Sequence, residues 1–252
     1  MSARRFLPLI FVFSLALPFM VGARGSRKDR SVARAELGRA YLAEGSLESA
    51  IGTLKEAIDL DHSNWVAWNF LGLALAEKGK PEDAIKALET SIRHADGRAE
   101  PHLNYGLILF SQGQVEPAIA QYELALDDLT YRKPAYVLNN LGYALISKGD
   151  NDRAVTVLRE AVNRAPNLCP ARFNLGIALQ ESGKARDAIK EFSDVISTCG
   201  EEVPGAYLQI ARLEIEQGRT DQAASYLEQV LAMAPDTEVS DAARALLVTL
   251  EP

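Results

Sequence analysis

The dipeptide Leu37-Gly38 returns as Leu71-Gly72, Tyr105-Gly106, Leu141-Gly142 and Leu175-Gly176, and in weakened form as Ile210-Ala211, at steps of 34, 34, 36, 34 and 35 residues. A supersecondary unit of this length cannot bury its apolar face alone, so successive units must stack and share a continuous core. Such an array presents a long surface, which suits binding better than catalysis. With Ser31 as position 1, the later units begin at Trp65, Ala99, Ala135, Cys169 and Pro204. Position 15 is then always glycine (Gly45, Gly79, Gly113, Gly149, Gly183, Gly218) and position 20 always alanine (Ala50, Ala84, Ala118, Ala154, Ala188, Ala223).

Each recurrence has a mechanical meaning. Glycine at position 15 follows a stretch of 3.6-period apolar spacing and closes a first helix in a left-handed cap. Alanine at position 20 lets a second helix approach closely. Leu54, Leu88, Tyr122, Leu158, Phe192 and Leu227 at position 24 fill the space between the two helices. Pro81 stands where a first helical turn tolerates proline, and Pro166 and Pro235 at position 32 stop the second helix.

Trp68, Leu71, Gly72, Ala84 and Leu88 of the second unit, with Leu141, Gly142, Ala154, Leu158, Ala161 and Pro166 of the fourth, resemble the tetratricopeptide repeat. The resemblance implies an all-α fold, a right-handed superhelix of six helix-turn-helix repeats over residues 31–238 whose first helices line a concave groove. Glu214 departs from the pattern, standing where the family has a large apolar residue, as an atypical terminal repeat can. Val239, Ala242, Ala243, Leu246, Leu247 and Leu250 form a last stripe, read as a capping helix over 239–252.

Residues 1–23 read as a signal peptide. Arg4 and Arg5 precede the apolar run Phe6–Val21, and Val21-Gly22-Ala23 supplies small residues for cleavage. The run is interrupted by Pro8 and Pro18 and falls short of the roughly 20 residues that span a bilayer. Arg24, Arg27, Lys28 and Arg30 follow, so residues 24–30 read as a basic linker. Without residues 1–23 the chain carries 25 basic and 34 acidic residues. That balance, with the basic residues scattered, argues against a nucleic-acid partner.

Positions 2, 5, 6, 9, 12 and 13 of each first helix share one side at helical spacing and are expected to face the groove. Asn69 and Asn139 stand at position 5, and Asn104, Asn140 and Asn174 at position 6, with Gln209 continuing the row. A carboxamide both donates and accepts, so a column of them can hold the backbone of an extended peptide, as in the family's asparagine ladders. The alternative is that these amides bond only to neighbouring helices or water. Phe70, Leu73, Leu103, Leu107, Phe110, Tyr136, Tyr143, Ile146, Phe173 and Ile177 surround the row, giving an apolar groove suited to a protein or peptide. Position 5 holds no cation in any unit, which excludes the Lys/Arg clamp that chaperone-binding tetratricopeptide domains use for acidic carboxy-termini.

Cys169 is position 1 of unit five and Cys199 is position 31, which places both at one end of an antiparallel helix pair. In an oxidising compartment they are expected to form a disulfide; in a cytosolic protein they would be two buried thiols. His62, His94 and His102 show neither metal-ligand spacing nor a neighbouring nucleophile motif, and no phosphate loop occurs. A non-enzyme without metal, cofactor or small-molecule substrate is therefore expected.

The array slips once. Ala125-Leu126-Asp127-Asp128-Leu129-Thr130-Tyr131-Arg132-Lys133-Pro134-Ala135 adds two residues between units three and four, before Asn139-Asn140-Leu141-Gly142. This junction resembles the type IV pilus biogenesis pilotins of the Tgl and PilF/PilW type, which carry a similar Tyr, Pro-Ala and Asn before the next Gly. The resemblance implies an envelope scaffold that assists a pilus or secretin component. Those pilotins end their signal in a lipidated cysteine, whereas no cysteine precedes Cys169 here. A periplasmic or secreted protein is thus expected, touching membrane only if its N-terminal segment is uncleaved. The alternative is a general adaptor or co-chaperone, cytosolic or tethered. Export predicts that the intact mass of the mature protein begins at Arg24; a retained Met1 would remove the basis for it.

Overall fold

The computed structural model describes residues 25–200 and 203–250, so the signal-peptide reading of residues 1–23 lies outside the described residues. These form thirteen helices and no strands: α1 Arg27–Ala43, α2 Leu47–Leu60, α3 Trp65–Glu77, α4 Pro81–His94, α5 Ala99–Ser111, α6 Val115–Leu126, α7 Pro134–Lys148, α8 Asn151–Arg164, α9 Cys169–Glu181, α10 Ala185–Cys199, α11 Pro204–Glu216, α12 Thr220–Met233 and α13 Glu238–Leu250. Consecutive helices pair as six hairpins, each packed on the next, and α13 covers the last of them.

Most of the stretch read as a linker is helix. Ser26 caps α1 by accepting from the Asp29 backbone, and the Asp29 carboxylate accepts from the Ser26 backbone. This reciprocal capping box satisfies two otherwise unpaired donors and starts the helix at Arg27. The Ser26 bonds also hold the Asp29 carboxyl below its usual range.

All six position-15 glycines are left-handed, with φ between 72° and 84°. At Gly45 its N–H donates to the Leu42 carbonyl (3.0 Å) and that of Ser46 to Tyr41 (2.8 Å), the Schellman pattern that turns the chain into the second helix. The same pair of bonds recurs at Gly149, to Ile146 and Leu145.

The hairpin interior explains the Leu-Gly signature. A Cβ at Gly38, Gly72, Gly106 or Gly176 would lie 2.5–2.6 Å from Leu54, Leu88, Tyr122 or Phe192, and one at Gly142 would be closer still to Leu158. The position-24 side chain thus occupies the volume that a side chain at position 8 would need. Position 20 is fully buried in all six units, so both small residues face the partner helix at its closest approach.

Units are then joined edge to edge. At the first junction Asn64, whose Oδ1 caps α3 by accepting from Ala67 N (3.1 Å), donates from Nδ2 to Ser31 Oγ (2.8 Å), which donates to the Ala57 carbonyl (2.7 Å), all within the core. At the two-residue slip, Asp128 accepts from Thr130 N and Oγ1 (2.9 and 2.6 Å) and from Ala99 N (3.1 Å), tying the loop to the start of α5. These bonds hold the Asp128 carboxyl low. Buried Glu214 is paired with Arg219, which leaves the terminal repeat's odd carboxylate compensated.

Gly106→Ala is expected to gain about 1 kcal/mol in helix propensity and lose about 1–3 kcal/mol by displacing Tyr122. A net loss of stability, measured by urea denaturation, is the expected outcome; equal stability would show that the ring yields freely.

Candidate functional site: the face of the first helices

The first helices α1, α3, α5, α7, α9 and α11 form one row. Neighbours lie close at α1–α3 and α7–α9 and spread apart at α5–α7 and α9–α11. Solvent reaches mainly positions 2, 6, 9 and 13, while position 5 turns into the contact between helices.

The asparagines expected as a single row therefore divide. Asn69 is buried (3% exposed), and its Oδ1 accepts from Asn104 Nδ2 (2.9 Å) on the next first helix. Asn139 repeats this two units later, its Oδ1 accepting from Asn174 Nδ2 (3.0 Å). Position 5 of one unit thus ties to position 6 of the next. Such pairs satisfy buried and half-buried amides.

Between these two pairs the rule lapses. Position 5 of unit three is Leu103, so α5 offers no carboxamide to Asn140 of α7. Asn140 Oδ1 accepts only a long 3.4 Å bond from the adjacent Asn139 Nδ2. Its own Nδ2 has no hydrogen-bond partner among the described residues.

Large apolar side chains are exposed around this amide. Leu107 is 41% exposed, Tyr136 51% and Tyr143 50%, and the Tyr143 ring tilts against Phe110 with centroids 5.3 Å apart. Lys133 Nζ lies 6.0 Å over the Tyr136 ring. Phe173 is half-buried and packs edge-on to Phe192 at 5.4 Å, so it is partly a core residue. Tyr131, on the slip, is half-buried against the core, and burial raises its phenol. Exposed aliphatic and aromatic side chains beside an unpaired amide can bind both the side chains and the backbone of a peptide.

Cys169 and Cys199 form a disulfide, Cα atoms 6.1 Å apart, joining the start of α9 to the end of α10. A residue that repeat logic missed is Arg172, whose guanidinium reaches Glu191 (3.1 Å) and Asp194 (3.4 Å) on α10. That charge is spent inside the hairpin. Among the described residues no three His, Cys, Asp or Glu converge as a metal site, and His102 Nδ1 lies 2.8 Å from Gln121 Oε1. No described helix is long and apolar enough to cross a membrane.

Six capped hairpins with a shared core and an open inner face define a helical-repeat superhelix, a class of protein-interaction scaffold. Models of the tetratricopeptide repeat match residues 35–100, 71–137, 135–168 and 206–237, well over half of the sequence. The chain belongs to the tetratricopeptide repeat family.

Its fold is similar to that of Pseudomonas aeruginosa PilF, with a TM-score of 0.77 and 22% identity over 88% of this chain and 100% of that one. It is also similar to PilW, described as a widely conserved type IV pilus biogenesis factor (TM-score 0.76, 22% identity, 86% and 98% of the two chains). YrrB, described as having an unusual peptide-binding site, is similar at a TM-score of 0.64 and 18% identity over 76% and 97%. In sequence, an uncharacterised Haemophilus influenzae protein is 27% identical over 135 residues, 51% of this chain and 75% of that protein. The chain spans only 31% of the longer tetratricopeptide repeat protein 8 of Caenorhabditis elegans, to which it is 26% identical over 157 residues.

The disulfide closes a 30-residue separation, worth about 3.5 kcal/mol in the chain-entropy account. Reduction, or Cys199→Ser, is expected to lower Tm by roughly 7–14 °C in a calorimetric scan. An unchanged Tm would mean that the hairpin is held by packing alone.

Proposed function

We propose that this protein is a non-enzymatic scaffold of the cell envelope that seats a segment of a pilus or secretin component on the inner face of units three and four. The carrying observation is the exposed cluster of Leu107, Tyr136 and Tyr143 around the unpaired Asn140 amide. A monomeric surface has no packing reason to display two tyrosines and a leucine together at the opening between α5 and α7. The Asn104–Asn69 and Asn174–Asn139 bonds tie the two helices that frame this seat, α5 and α7, to their outer neighbours α3 and α9.

Three observations support the envelope assignment: the arginine-led apolar segment at the N-terminus, the cysteine disulfide suited to an oxidising compartment, and the likeness in fold to PilF and PilW over nearly their whole length. The slip between units three and four, where the pilotin resemblance is strongest, is also where the apolar cluster opens.

A photoreactive phenylalanine analogue replacing Tyr143 tests the proposal in intact cells, with the same group at exposed Lys190 of α10 as control. The expected result is a crosslink from position 143 to a pilus or secretin protein that Leu107→Ser abolishes. Equal labelling from both positions, or only cytosolic products, would overturn it.

A further inference from the structure

The inner face carries charge as well as apolar surface, and the charges are unevenly placed. Position 13 of units three and four is serine (Ser111, Ser147), whereas units two and five carry exposed Glu77 and Glu181. Glu100 adds a half-buried carboxylate at position 2 of unit three. None of these three glutamates forms an ion pair among the described residues.

Lys133, beside Tyr136, forms no ion pair among the described residues, but the other nearby cations are engaged. Lys78 pairs with Glu48 (2.5 Å), Lys148 with Glu116 (3.9 Å), Lys184 with Asp152 (3.3 Å), and Arg39 with Glu36 (2.8 Å). Arg212 stands four residues before Glu216 on the same helix, so unit six is locally balanced. Along its position-9 and position-13 side the face is thus apolar at units three and four, with unpaired Glu77 and Glu181 on the units to either side; Glu100 and Lys133 stand at the opposite edge, by the starts of α5 and α7.

Resting on the groove reading above, we infer that the occupant is an extended segment, apolar in its middle and bearing Lys or Arg at both ends. Three interhelix steps of about 8–10 Å separate Glu77 from Glu181, a span that an extended chain covers in roughly eight residues at about 3.3 Å each. The middle of such a segment lies over Leu107 and Tyr143, and Asn140 Nδ2 donates to one of its carbonyls. Its cationic ends meet Glu77 and Glu181. A neutral or acidic segment would leave those carboxylates partly desolvated and unpaired.

Three synthetic peptides test this against the full mature protein by fluorescence anisotropy. One has eight central apolar residues between lysine pairs, the second replaces the lysines by glutamates, and the third replaces the centre by serines. The lysine-flanked peptide is expected to bind about five- to tenfold tighter than the glutamate-flanked one at about 50 mM salt, with the gap closing near 500 mM. Glu77→Gln with Glu181→Gln is expected to remove that preference, with the circular-dichroism melt as a check on folding. Equal affinity for the first two peptides overturns the charge inference while the groove reading stands. Undiminished binding of the serine-centred peptide, or undiminished binding of the lysine-flanked peptide by Leu107→Ser with Tyr143→Ser, overturns the groove reading itself. No binding by any peptide overturns both.

Discussion

The contact between position 8 and position 24 governs the rest of the molecule. In five units a backbone without Cβ meets the tip of a Leu, Tyr or Phe from the second helix, and only because the first residue is glycine can the two helices close to that distance. Interiors are packed to near-crystalline density, so the spacing within each hairpin is effectively set by this one fit. Alanine at position 20 belongs to the same fit. In the last unit Ala211 replaces the glycine, with Leu227 still fully buried opposite. The terminal hairpin thus keeps the large side chain buried against alanine, and it pairs a buried Glu214 with Arg219 where the other units are apolar.

Spacing between hairpins is controlled separately, and more weakly. Apolar packing along the row is supplemented by amides that link position 5 to the next position 6, at Asn69–Asn104 and Asn139–Asn174. Each link is worth on the order of 1 kcal/mol, far less than the burial within a hairpin. The row can consequently open where a link is missing without endangering the hairpins on either side. It is missing between α1 and α3 and between α9 and α11, where position 5 is Ala35 and Phe173, and between α5 and α7, where position 5 is Leu103 and two additional residues lengthen the connection.

Much of this was legible in the sequence because repetition supplies its own control. Six glycines at position 15 and six alanines at position 20 located every hairpin, and the observed left-handed φ values and complete burial follow from the same chemistry. The proximity of Cys169 and Cys199 was a consequence of register alone, and a disulfide joins them. The division of labour among the asparagines was not legible. Positions 5 and 6 are adjacent on a helix, and which of them turns toward the neighbour depends on the angle between hairpins, which no single repeat encodes. Nor was the helical start at Arg27 seen, since a run of positive charge reads as linker until the Ser26–Asp29 box is recognised as its cap.

The irregularity and the exposed surface are therefore one phenomenon. Units two and four carry an amide at position 5, and each pairs with the next position-6 amide; unit three, between them, does not. With Leu103 at position 5, Asn140 keeps a free donor, and Tyr136 and Tyr143 stand half exposed on the helix that follows the lengthened junction. Neither change costs the fold much, because each hairpin is stabilised internally and the loop is re-anchored by Asp128 to the start of α5. An exposed apolar surface can thus be carried in a repeat protein at a junction where a weak constraint is absent. The strong constraint, glycine against a large side chain, is kept in the hairpins on both sides of it.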